Sequence, residues 1–203
     1  MKFLTKLTEY EKLLVDNKDF SFISNELSLK GQTLKIFDKY CFYKPIKFLP
    51  LKLFATKRFI KKLSKVGFVK RVKVKYNLKG KHHAYALEKG EINFGKQFVF
   101  KMPFEKNVFE TLHELAHIYL SYQAGYKEFV ELDLEFATKY LKEEIVKVIT
   151  PIEYYANALA IGWLKIVIEN HNGYEKRKKL LSAEITAIES KIKRAKAKAF
   201  CKG

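Results

Sequence analysis

A chain of 203 residues, 48% of them hydrophobic, can bury one sizeable core but would leave two domains small for their class. No apolar run reaches the roughly 18 residues of a membrane span, and the start Met1-Lys2-Phe3-Leu4-Thr5-Lys6 lacks the apolar stretch of a secretory signal, so a cytoplasmic protein without a membrane partner is expected. Cys41 and Cys201 alone argue against a disulfide framework or a cysteine zinc site, and a formal net charge of +18 favours phosphate polymers or acidic proteins as neighbours.

Leu4, Leu7, Tyr10 and Leu14 fall at steps of three and four, which predicts an opening helix ending near Asp16-Asn17. A second helix is expected over Thr33 to Tyr43, stopped by Pro45 and Pro50, and a third from Phe54 to Val66, burying Phe59, Ile60, Leu63 and Val66 before Gly67 ends it. From Lys39 to Leu87 there is no acidic residue. Within that interval Lys57, Arg58, Lys61 and Lys62 lie on the third helix, and Arg71, Lys73 and Lys75 occupy alternate positions of a strand starting near Phe68. These seven residues form a candidate patch for weak nucleic-acid binding or an acidic partner.

The period of two continues through a turn at Asn77 to Gly80, a return strand over His83 to Leu87, a further strand over Glu91 to Phe94, and Phe98 to Phe100. A small, mainly antiparallel sheet follows from that pattern. After Pro103 the chain reads as helical. Asn107 and Glu110 resemble a capping box for a helix reaching Tyr122; further helices are expected over Leu132 to Ile149, from Thr150-Pro151 to Asn170, and from Glu175 to Phe200. The last carries Leu181, Ile185, Ile188, Ile192, Ala195 and Ala199 in a narrow seam, suited to core packing or to self-association. The expected class is α+β, divided into a basic helical extension (1–53), a core (54–172) and a basic terminal helix (173–203).

His113-Glu114-Leu115-Ala116-His117 matches H-E-x-x-H. Residues four apart share one helix face, so both imidazoles can reach one zinc, while Glu114 beside them can act as general base. The rest of the helix is apolar, with Phe109, Leu112, Ala116 and Tyr119 forming a stripe. A third protein ligand is needed. Glu153 is the leading candidate, with Glu128, Glu131 and His171 as others, and Glu153 also has a plainer reading as the capping partner of Thr150. Asn157, one turn after Glu153, can hydrogen-bond the outer nitrogen of a zinc histidine, and the small Ala156, Ala158, Ala160 and Gly162 allow close helix approach.

Together, Glu91-Ile92-Asn93, Thr111 to His117 and Glu153-x-x-Ala156-Asn157-x-x-Ala160 resemble the ImmA/IrrE family of zinc metallopeptidases over roughly residues 54–167. The resemblance implies a zincin-like, gluzincin-type core, with Zn2+ held by His113, His117 and Glu153 and with water activated by Glu114. It also implies a protein substrate, such as a DNA-binding repressor in a phage or mobile-element setting. The motif helix is similar as well to SprT-like proteases and ArdC-type antirestriction proteins, which act near DNA. A different class remains open: residues 56–87 can be read as a winged helix, making the chain a non-catalytic nucleic-acid-binding protein.

Overall fold

The computed structural model describes residues 3–16, 20, 27, 29–43, 49–77, 84–87, 90–142 and 144–200. The three early helices form where their stripes predict, with shifted ends: Leu4 precedes the first, the second stops at Cys41, and Val66, past the end of the third, is only half-buried. Helix α1 (Leu7–Asp16) buries Tyr10 and Leu14, and the Tyr10 hydroxyl donates to the carbonyl of Ile149 at 2.7 Å. Helix α2 spans Gly31–Cys41 and buries Phe37, Tyr40 and the free Cys41. Helix α3 (Leu49–Lys65) starts five residues before its expected first residue, Phe54. Pro50 falls in its first turn, where a missing N–H costs nothing, so the proline that was expected to separate two helices instead begins one. A boundary after residue 53 would cut through this helix. Gly67 then adopts φ +74° just past the helix end, a conformation that disfavours any side chain.

The sheet corrects the expected pairing. Strands β1 (Lys73–Asn77), β2 (Ala84–Leu87) and β3 (Glu91–Gly95) lie in the order β1-β3-β2. The β2–β3 pair is antiparallel as expected, but β1 pairs with β3 in parallel, so the sheet is mixed rather than mainly antiparallel. Residues 78–83, with most of the expected turn and the start of the return strand, lie outside the described residues. Burial explains the order: Ile92, Asn93, Phe94 and Gly95 of β3 are all buried, whereas Lys73 and Lys75 of β1 are exposed, so β3 takes the centre and β1 the edge. Among the described residues β1 and β2 do not pair with each other, unlike the two strands of a wing hairpin.

Phe98 to Phe100, expected as a strand, belongs to helix α4 (Lys96–Phe100). Phe98 and Val99 are both buried, which adjacent strand positions cannot achieve on one face, and Phe98 stacks on Phe94 at 4.1 Å.

The remaining helices build the core around α5 (Phe104–Ser121), which packs against α7 (Pro151–Asn170). Helix α5 begins at Phe104 behind Pro103, so Asn107 lies inside the helix and is not its cap; its carbonyl accepts the Thr111 hydroxyl at 2.8 Å. The helix expected over Leu132 to Ile149 is two elements: α6 (Tyr126–Tyr140) and a 3₁₀ segment, Glu144–Ile149. Pro151 disfavours α geometry at the residue before it, and the tighter turn buries Val146, Val148 and Ile149 together. Helix α8 (Glu175–Phe200) places Leu181, Ile185, Ile192 and Ala195 in the common hydrophobic core, so its seam is used within the chain. Among the described residues, no helix is long and apolar enough to cross a membrane.

Tyr40 joins α2, α3 and α5. Its ring stacks on Phe59 at 4.1 Å, and its hydroxyl lies 3.1 Å from Thr56 and 2.9 Å from Thr111. Replacing Tyr40 with Phe keeps the ring but removes both bonds from a buried site. The expected loss is about 1–2 kcal/mol of stability, read from the midpoint of urea unfolding.

Candidate metal centre

Helix α5 is buried on most of its circumference: Val108, Phe109, Leu112, Leu115, Ala116 and Ile118 all belong to the core. Its two histidines face α7, whose Glu153 they meet. His113 and His117 meet with their Nε2 atoms 3.0 Å apart and their rings perpendicular. Glu153, in the first turn of α7, sends one carboxylate oxygen to within 3.3 Å of His113 Nε2 and the other to within 3.6 Å of His117 Nε2. Among the described residues this is the group of histidine, cysteine and carboxylate side chains able to hold a metal ion. The other candidates lie elsewhere. His171 bonds Asp38 through Nδ1 and stacks on Phe42, while Glu128 and Glu131 are exposed on α6.

The donor set fits zinc in both chemistry and size. Two imidazoles and a carboxylate are a common catalytic zinc set, and ligands at about 2.0–2.1 Å in a tetrahedron stand roughly 3.3–3.4 Å from one another. The observed separations of 3.0, 3.3 and 3.6 Å bracket that value.

What frees Glu153 for this role is a residue that the sequence pattern did not single out. Asp133 of α6 accepts the backbone N–H of Ile152 at 2.8 Å and a hydrogen bond from the Thr150 side chain. The first turn of α7 is thus capped from outside, and the capping-box reading of Glu153 gives way. Nothing in the sequence around Asp133, in a run of acidic residues, distinguishes it from its exposed neighbours. Asn157 also differs from its expected role. It is buried and lines the cleft, but its amide donates to the carbonyl of Val148 at 3.4 Å, and Nδ1 of His113 has no hydrogen-bond partner among the described residues. Gly162, expected to face α5, instead accommodates Leu27, whose side chain a Cβ at 162 would overlap.

Glu114 is buried beside His113 and opens with it onto a cleft of about 440 Å³. The cleft also takes in Glu110, Glu144, Lys147 and, from α8, Ile188 and Lys191. Four carboxylates against two lysines give this pocket an acidic character inside a strongly basic protein. Lys147 and Lys191 carry no signal in the sequence, because each is one lysine among many.

The three ligand candidates titrate as one unit. Burial alone would lower the pKa of His113, but the Glu153 carboxylate outweighs it and raises the value to about 9. His117 is pushed down to about 4 by burial and by the charge on His113. Glu153 is held at about 2 because the His113 contact overcomes the effect of its own burial. No protein-family model, curated protein or solved structure matches the chain, so the reading of this site rests on its own residues.

Two outcomes are expected. At pH 7 His113 is protonated and must become neutral to bind a metal. Zinc binding should therefore release about one proton, and affinity should rise about tenfold per pH unit between about 4 and 9 and level off above. Calorimetry in buffers of different ionisation enthalpy checks the first number. Asp133→Ala should cost about 1 kcal/mol in the metal-free protein and weaken zinc binding about tenfold, read by thermal unfolding and by chelator competition.

Proposed function

We propose that the chain is a zinc-dependent metallopeptidase with a zincin-like core of the ImmA/IrrE kind. The observation that carries this reading is the donor triangle of His113, His117 and Glu153, sized for one tetrahedral ion, with the Glu114 carboxylate beside it in an open cleft. When bound there, zinc supplies Lewis acidity, lowering the pKa of water and polarising a carbonyl. Glu114 accepts the proton of the attacking water as its oxygen bonds to the carbonyl carbon. It returns that proton to the departing amine as the carbon–nitrogen bond breaks. Glu153 orients both imidazoles, and the hydrophobic surroundings of α5 hold them at fixed separation.

The substrate class follows by analogy. A regulatory protein that binds DNA, cleaved in the cytoplasm, suits the family resemblance. The exposed cations of α3 favour a second version, a protease that works close to DNA like the SprT and ArdC types.

Replacing Glu114 with Gln should leave zinc content and fold intact while lowering peptide hydrolysis by roughly 100-fold to 10,000-fold. His113→Ala should lose the metal as well. Hydrolysis that persists in Glu114→Gln protein of full zinc content would overturn the assignment of the base.

A further inference from the structure

A second concavity lies on other elements and shares no lining residue with the metal cleft. It is a groove of about 530 Å³ between α2 and α3. Its floor is aromatic: Tyr40, Tyr43 and Phe59 lie stacked on one another, with Tyr40–Phe59 at 4.1 Å and Tyr40–Tyr43 at 5.9 Å. Its banks are cationic, with Lys35 and Lys39 on α2 facing Arg58 and Lys62 on α3. At its rim stands Phe54, 60% exposed, and the same residue borders an adjoining cleft of about 470 Å³ that adds Lys57, Lys61 and Lys65.

None of these cations is paired with a carboxylate among the described residues. The one acid of α2, Asp38, is engaged by His171. The sequence from Lys39 to Leu87 contains no other acid that could neutralise them. From Lys57 to Lys65 the cations of α3 extend about 12 Å along the helix.

We propose that this groove binds single-stranded nucleic acid. A row of unpaired cations suits a repeating anion better than a single headgroup, and counterion release along it supplies affinity. Tyr40 and Phe59 of the floor are buried against each other, and Phe54, exposed at the rim, is the ring on which a base can stack, a contact that a duplex with its bases already stacked cannot use and an acidic peptide does not need. The charged lining, Lys35, Lys39, Arg58 and Lys62, suits phosphates whatever the base, so binding is expected to be largely insensitive to sequence. Charge and aromatic surface act on different parts of the same ligand, and they can be removed separately.

The test uses the full chain and a fluorescent oligothymidine, with anisotropy read at several salt concentrations. A duplex of equal length, heparin and anionic phospholipid vesicles serve as competitors. Wild-type protein should bind the single strand more tightly than the duplex, with affinity falling steeply as salt rises. Phe54→Ala, a change at an exposed position, should weaken single-strand binding about fivefold or more while leaving heparin binding unchanged. The Arg58→Glu/Lys62→Glu double variant should weaken both. Zinc content and the circular dichroism spectrum should match wild type in every variant. Equal affinity for single strand, duplex and heparin, or a Phe54→Ala variant that binds the single strand as wild type does, would overturn the proposal and leave a plain cationic surface. Preference for vesicles over oligothymidine would overturn it in favour of a lipid site.

Discussion

The reach of one glutamate side chain sets how closely α5 and α7 must pack. Glu153 touches two histidines on the neighbouring helix at 3.3 and 3.6 Å, and that contact tolerates little slack between the two backbones. Small residues on the faces that carry the ligands meet the requirement, Ala116 on α5 and Ala156 and Ala160 on α7, all fully buried. Around this pair the other elements act as braces. Trp163 of α7 is wedged against Phe37, Phe68 and Tyr119, which ties α2 and the segment after α3 to the same interface. Asp133 fixes the start of α7 from a third direction.

Charge is divided as firmly as packing. The cleft at the histidines is acidic, whereas the α2–α3 face is basic without interruption. At physiological ionic strength fields decay over about 8 Å, so each site experiences its own surroundings more than the net charge of the chain. A dication and a polyanion can therefore be attracted to different faces of one small protein. The two faces nonetheless share a wall, because Tyr40 in the groove floor bonds Thr111, two residues before His113 on the same helix.

Periodicity and spacing made legible what depends on neighbours along the chain. The helices ending at Asp16, Lys65 and Asn170 and the pairing of β2 with β3 follow from local pattern, and the two histidines four residues apart already define a metal face. Glu153 was identifiable because a zinc site needs a third ligand, and its neighbours on α7 are small. Asp133, Lys147, Lys191 and the partner of Asn157 were not, since each acquires its place only through contacts between elements distant in sequence. The apolar residues of the 3₁₀ segment suit either helical geometry, so their spacing does not separate it from an α-helix. The parallel pairing of β1 with β3 is not legible for a related reason: alternation reports which residues share a face, and says nothing about which strand lies in the middle.

That strand order also constrains how the sheet is assembled. Strands β1 and β2 emerge first during synthesis, yet they never pair; β3 must arrive and take the place between them. Only residues 88–90 separate β2 from β3, so closing that hairpin costs little loop entropy, whereas β1 has to wait for a partner in parallel register. Exposed lysines at 73 and 75 make β1 a poor template for premature pairing with another chain. When it finally docks, Lys75 meets Glu91 of β3 at 2.7 Å, and that match of opposite charges across the new ladder favours the native register over a one-residue slip.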